Sequence, residues 1–313
     1  MTLAAQAQHF AGPPRWTWFI VPYFFLAGLA GGCYALATLL RLRGERFDEP
    51  AARLGFYASF GTFVLCPVLL TLDLTQPLRF WHMLWNTTPG EQGLSFKYWS
   101  PMSLGSWALV VFGLFTTVTF VEVLVRDGRL RWPFALRVAR LLDGTLGTLW
   151  ILVGALLGTF VAGYTGVLLA VSNQPVWSDT WTLGGLFLAS GLSGSAALLL
   201  WLVRYRAEAR ASAGALELFE RLFTLLELAL IVLFVLTLIP AGTLDEAFGF
   251  PWILLWLVAF AGLVPGLRGL LTARLAVTPE GTVVAPLAAA AMPGLVLLGV
   301  LALRAAVILS AQF

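Results

Sequence analysis

Eight long apolar runs joined by short connections fill nearly the whole of a 313-residue chain, and few folds accommodate such a pattern. A helix that crosses a bilayer needs about 20 consecutive, mostly apolar residues. The runs extend over Trp16 to Leu40, Leu54 to Leu72, Pro101 to Leu124, Gly147 to Val171, Trp181 to Val203, Leu218 to Ile239, Trp252 to Leu271 and Leu287 to Leu309. The chain reads as an all-α membrane protein with eight transmembrane helices. A composition of 59% hydrophobic and 11% charged residues excludes a soluble domain, which needs a charged surface.

An even number of crossings puts both termini on one side, and the basic residues predict which. The connections after runs 1, 3, 5 and 7 carry respectively Arg41, Arg43, Arg46 and Arg53; Arg126, Arg129, Arg131, Arg137 and Arg140; Arg204, Arg206, Arg210 and Arg221; and Arg268 and Arg274. The opposite side holds Arg15, Arg79 and Lys97, and Arg304 lies within run 8. Lys and Arg mark cytoplasmic loops, so both termini are expected outside the cytoplasm. Trp16, Trp18, Trp81, Trp85, Tyr98, Trp99, Trp177, Trp181 and Trp252 gather at the same outer ends, as an interfacial belt would. The formal charge of +3 then reflects topology and gives no reason to expect nucleic-acid binding. No basic segment with a short apolar core precedes Trp16, so no cleaved signal peptide is expected.

Metal chemistry has little to work with. Cys33 and Cys66 fall inside apolar runs as small hydrophobes, too few for an iron–sulfur site, which takes about four ligands. His9 in the N-terminal tail and His82 in an outer connection are the only histidines, so no helical pair exists to hold a haem.

Two connections stand out. Asp73 to Ser100, the longest outer one, is rich in Trp, His and Asn and reads either as a docking surface or as a loop held to the membrane by its tryptophans. On the other face, Arg126 to Asp143 alternates arginines with Leu130, Trp132, Phe134, Leu136, Val138 and Leu141, as an amphipathic segment on anionic lipid would.

Ionisable and phenolic groups at membrane depth are the functional signal, since each charge costs about 2.5–3.5 kcal/mol at the bilayer centre. Asp73 ends run 2 on the outer side, Tyr23 and Tyr164 lie in the outer thirds of runs 1 and 4, and Arg79 and His82 sit just beyond. A carboxylate, phenols and an imidazole near one face suit a quinone head group, whose carbonyls accept hydrogen bonds and whose reduction takes up protons. The plainer reading is that Asp73 caps a helix and pairs with Arg79 while the tyrosines belong to the belt. Glu122, Asp143 and Glu227 lie toward the cytoplasmic side and outline a proton path. Glu122 also has Arg126 one turn on as an ion-pair partner, and Arg304 is a partner for Glu227 if runs 6 and 8 touch. Small faces at Gly28 to Gly32, Gly105, Gly154 and Gly158, and Gly184 to Gly194 provide for close helix approach.

The motifs PYFFLAGLAGG (Pro22 to Gly32), LDLTQPLRFWHMLWN (Leu72 to Asn86), SPMSLGSW (Ser100 to Trp107), GYTGVLLAVSNQPVW (Gly163 to Trp177) and LFLASGLSGSAAL (Leu186 to Leu198) together resemble the NrfD/polysulfide-reductase membrane-subunit family. The resemblance implies two four-helix bundles: an outer tail over residues 1–15, a first bundle with the quinone site over 16–180 and a second over 181–313. It implies a quinone or menaquinone as redox partner, no haem, and residence in a bacterial cytoplasmic membrane. Electrons would pass to or from a ferredoxin-like iron–sulfur subunit, joined to a molybdopterin catalytic subunit or served by a multihaem cytochrome. Tyr164 resembles the family's quinone-binding tyrosine and Asp73 its acidic residue, with His82, Tyr23 and Arg79 as further contacts. Helix 1 departs from the pattern, offering Ile20 and Tyr23 where some relatives offer Asn and His. A transporter or a passive membrane anchor is the alternative. A transporter predicts helices broken at the midplane in matching halves of the chain, and Pro67, Pro240 and Pro265 form no such repeat.

Overall fold

The computed structural model describes residues 16, 18–275 and 286–312. Its long helices follow the apolar runs: α1 Ile20–Leu42, α2 Glu49–Asp73, α3 Pro101–Arg126, α5 Thr145–Ala170, α6 Leu183–Arg204, α7 Ala213–Ala241, α9 Trp252–Leu275 and α10 Pro286–Ser310, with the short helices α4 Pro133–Leu141 and α8 Leu244–Phe248 between them. Among the described residues seven helices are long and apolar enough to cross a membrane, and Trp252–Arg268 is a shorter apolar helix. The chain is a multi-pass all-α membrane protein. The expected tail over residues 1–15, with His9 and Arg15, and the side chain of Arg274 lie outside the described residues.

Helix ends follow local chemistry rather than hydropathy alone. α1 begins at Ile20, four residues inside the apolar run, because Trp16 and Trp18 precede it as interfacial residues. α7 begins ahead of its run because Ala215, Leu216 and Glu217 are strong helix formers and Glu217 forms an ion pair with Arg221 one turn on. Pro101 and Pro133 occupy the first turns of α3 and α4, where a missing N–H costs nothing. In the connection between α2 and α3 a 3-10 helix over Pro77–Met83 precedes a two-residue antiparallel pair, β1 Trp85–Asn86 with β2 Gly93–Leu94.

Two compact units divide the chain, Trp16–Tyr164 and the described residues from Thr165 onward. In the first, α1, α2, α3 and the body of α5 pack through small residues. A side chain at Gly31 would collide with the backbone of Gly158, and one at Gly154 with the Tyr34 ring. Such glycines let backbones approach in lipid, where burial of apolar surface no longer drives association. Aromatic pairs fill the remaining seams: Phe60 on Phe120 with centroids 4.0 Å apart, and Phe115 on Trp150 at 4.0 Å.

In the second unit α6 packs on α7 and α10, and α9 on α7 and α10. Gly262 and Gly299 touch backbone to backbone. Phe234, Phe248 and Trp256 form a ring cluster, and the Trp256 indole donates to the Ala247 carbonyl at 2.9 Å. The helices containing Pro67, Pro240, Pro265 and Pro293 run through these prolines without a break.

Candidate functional site

All four long helices of the first unit converge at one end. α1 brings Tyr23 there and α2 brings Cys66, both buried. Tyr23 lies close enough to Cys66 and to Tyr164 to interact electrostatically with each. Tyr164 reaches from α5 into the first turn of α3, where its hydroxyl donates to the Pro101 carbonyl and the Gly105 N–H is directed at it. Gly105 has no side chain because the Tyr164 ring occupies that space. Phe160, one turn earlier on α5, stacks on Tyr164 at 5.6 Å.

Asp73 is the last residue of α2 and half-buried. It follows Cys66 by seven residues, which sets it on the same helix face about 10 Å further along. Arg79 and His82 lie on the exposed 3-10 helix, where His82 meets the edge of Trp81 at 4.1 Å. The structure therefore brings Tyr23 and Tyr164 together, while Asp73 lies about 10 Å beyond Cys66 at the end of α2 and Arg79 and His82 lie on the connection that follows.

That connection is strongly apolar and strongly exposed. Leu78 is 88% accessible and Tyr98 75%, and Phe80, Trp85, Leu94, Phe96 and Trp99 are exposed as well. Its return limb is fastened to α3: Ser103 Oγ accepts from the Lys97 N–H at 3.0 Å, and the Trp107 indole donates to the Ser95 carbonyl at 2.9 Å.

At the other end of the same unit lies an ionic cluster. Arg41 donates to both Glu122 oxygens at 3.3 Å and to Glu49 at 2.9 Å. Arg126 pairs with Glu122, as its spacing predicts, and with Asp143 at 3.0 Å. Arg53 bridges Glu49 and Asp127, and the Tyr57 hydroxyl donates to Asp127 at 2.7 Å. Partial burial works to raise the Asp127 carboxyl, but the hydrogen bonds from Tyr57 and Arg53 and the charges of Arg53 and Arg129 outweigh it and hold it below its ordinary value. A cavity of about 370 Å³ opens beside Arg41, Glu122, Thr119 and Trp150. Glu122 is buried here, whereas the Asp143 side chain is largely exposed.

Glu227 belongs to the second unit. It is buried, receives a hydrogen bond from Ser193 and lies within electrostatic reach of Arg304. Arg304 is fully buried and donates to Ser190 Oγ at 2.8 Å and to the Phe187 carbonyl at 2.9 Å. Among the described residues, Glu227 Oε2 has no hydrogen-bond partner.

Sequence reasoning passed over the buried hydroxyls of Tyr34, Ser59, Thr116 and Thr119, and read Cys66 only as a small hydrophobe. A tyrosine in the middle of an apolar run was the available sign for Tyr34. Gly105 reads in the sequence only as a small face for close approach, and the structure supplies its partner, the Tyr164 ring. Among the described residues no group of three or more His, Cys, Asp or Glu side chains is arranged to hold a metal ion.

Comparison with known proteins adds an independent line. The family model described as "Polysulphide reductase, NrfD" matches residues 7–313. The protein is 28% identical over 198 residues to the NrfD protein of Escherichia coli (strain K12), covering 59% of its own length and 58% of that relative. It is 30% identical over 190 residues to one of the chains of the polysulfide reductase of Wolinella succinogenes, covering 57% of its own length and 55% of the other. A shorter match, 24% identical over 108 residues, joins it to one of the subunits of the selenate reductase of Mesobacillus selenatarsenatis, over 34% of its own length and 22% of that relative. The first two matches span a little over half the length of those relatives.

Proposed function

The chain belongs to the NrfD polysulphide reductase family, and on that premise we propose that it is the quinone-reactive membrane subunit of a respiratory oxidoreductase complex. It oxidises quinol, or reduces quinone, near the external face of a bacterial cytoplasmic membrane. The eight crossings form two four-helix bundles with both termini external, and the arginine-rich end of the first bundle faces the cytoplasm. The observation that carries this reading is the meeting of Tyr23, Cys66 and Tyr164 at one bundle end, with Asp73 on the same face of α2.

A quinone ring has two oxygens on opposite edges, and each needs a donor in the oxidised state and an acceptor in the reduced one. A phenol hydroxyl supplies both. Tyr164 holds one ring oxygen and Tyr23 the other, while Asp73 exchanges a proton, with Arg79 and His82 stabilising charge from the connection above. Apolar walls exclude water, which strengthens each of these contacts. Two electrons pass to or from an external iron–sulfur partner docked on the exposed aromatic connection. That partner is joined in turn to a molybdopterin catalytic subunit or a multihaem cytochrome. Relatives named as parts of polysulfide and selenate reductases support a place in such an assembly. Glu122, Asp143 and Glu227 remain the acidic residues for proton translocation.

The unbroken passage of the helices through their prolines weighs against a transporter, whose binding site would interrupt them. A passive anchor has no use for phenols buried at a bundle end. The test is titration of the purified protein with a fluorescent quinol-site inhibitor, comparing wild type with Tyr164→Phe. Saturable binding that weakens in the variant is expected; no binding to the wild type would return the transporter or anchor reading.

A further inference from the structure

Nothing in the quinone chemistry uses the connection between α3 and α5, and it is longer than joining two helices requires. Arg43 to Asp48 suffices between α1 and α2, whereas Asp127 to Gly144 includes a helix of its own, α4. Gly128 and Gly144, with φ of 70° and 71°, supply the sharp turns at its two ends. The first turn is closed by the Arg129 N–H, which donates to the Leu124 carbonyl at 3.0 Å.

The segment sorts its residues by side. α4 packs on α3, and Ala135 and Ala139, one turn apart, are its buried residues. Phe134 and Leu141, seven residues apart and therefore on one face, are 74% and 65% accessible, and Trp132 just ahead of the helix is 72% accessible. Arg137 and Arg140, one turn apart, are exposed beside them.

Charge here is unbalanced. Arg126 to Asp143 holds five arginines against two aspartates, and both aspartates are engaged, Asp127 by Arg53 and Asp143 by Arg126. Among the described residues no carboxylate pairs with Arg131, Arg137 or Arg140. Arg140 directs only its Nε inward, to the Leu136 carbonyl at 3.3 Å. Between α3 and α4 a cavity of about 420 Å³ is bounded by the apolar Val125, Leu136 and Ala139 and by Arg126, Arg140 and Asp143. Orienting the chain in a membrane takes arginines alone; it asks neither for exposed rings beside them nor for a cavity.

We propose that this segment is a binding site for an anionic phospholipid. Arg137 and Arg140 hold the phosphate, Arg131 adds charge, and the glycerol and acyl chains lie along Trp132, Phe134 and Leu141. α3 and α5 are both long and apolar enough to cross a membrane, so α4, joining their ends, sits at the level of the head groups. A phosphodiester presents paired oxygens that match the guanidinium fork. Free phosphate would satisfy the arginines and leave three large apolar side chains in water, whereas a lipid accounts for both. The site stands apart from the quinone reading and needs only the membrane.

The experiment uses the native complex in phosphatidylcholine nanodiscs containing a small fraction of photoreactive phosphatidylglycerol, its diazirine close to the glycerol. After illumination, capture is located peptide by peptide. It is expected on the peptides covering Arg126 to Asp143, and is expected to fall with excess unlabelled phosphatidylglycerol but not with excess phosphatidylcholine. Arg137→Gln combined with Arg140→Gln should weaken capture by about 25-fold, about fivefold for each arginine at a charged membrane surface, with binding of the quinol-site inhibitor unchanged. Equal capture of photoreactive phosphatidylcholine at this segment overturns the site, as does undiminished capture in a folded double variant. Displacement by millimolar inorganic phosphate overturns it in favour of a free-anion site. Capture only after the complex is dissociated overturns it in favour of a partner protein covering α4. The competition in the wild type decides the matter even where the double variant is unstable.

Discussion

Substituting alanine for Gly105 sets a methyl group against Tyr164. A Cβ at that position falls well inside van der Waals contact with the ring carbons Cε1 and Cζ and with the hydroxyl oxygen. Carbon atoms pack at about 3.5 Å, so the ring must withdraw by roughly 1 Å. Withdrawal works against the hydrogen bond of its hydroxyl to the Pro101 carbonyl and its stacking on Phe160. Overpacking of this kind costs about 1–3 kcal/mol, and a 1 Å displacement of a positioning group costs up to about 100-fold in function. Gly105→Ala should therefore lower the unfolding temperature in detergent and weaken the quinol-site inhibitor by about 10- to 100-fold. Truncating the ring removes the conflict, so adding Gly105→Ala to Tyr164→Ala should cost almost no stability. Wild-type stability and affinity in Gly105→Ala, or an undiminished penalty in the double variant, would refute the reasoning.

Asp73→Asn should cut quinol turnover while leaving assembly and inhibitor binding intact; unchanged turnover in the isolated complex removes Asp73 from the chemistry. Gly31→Leu sets a side chain against the Gly158 carbonyl, a backbone atom that cannot rotate away, so the protein should fail to elute as a monodisperse species on size exclusion. Asp127 carries a folded value below its ordinary 3.8. Its contribution is thus complete above that pH and is lost as pH falls through the lower folded value. Asp127→Asn should flatten the acid limb of a thermal-stability profile, and an unaltered limb would show that the Tyr57 and Arg53 contacts contribute nothing.

Hydropathy made the helices legible because lipid admits one answer to a run of 20 apolar residues. The ion pair of Glu122 with Arg126 was equally legible, being local and one turn apart. Tyr23 and Tyr164 were placed at one end by depth alone, and the structure sets them close together. What the sequence withheld depends on contacts distant in the chain. Arg41 meets Glu122 across 81 positions and Tyr34 meets Thr119 across 85, and nothing within either helix announces the partner. The strand pair at Trp85 and Leu94 was hidden too, since two residues are too few to show an alternating pattern.

The first turn of α3 has a double attachment. Its Ser103 and Trp107 side chains hold the backbone of the α2–α3 connection at Lys97 and Ser95, while its Pro101 carbonyl holds the Tyr164 hydroxyl. A shift of that connection would therefore act on an oxygen hydrogen-bonded to the Tyr164 phenol. Fluorine placed on the Tyr164 ring would register such a shift as a change in resonance frequency, so an interior phenol would report on the loop at the surface.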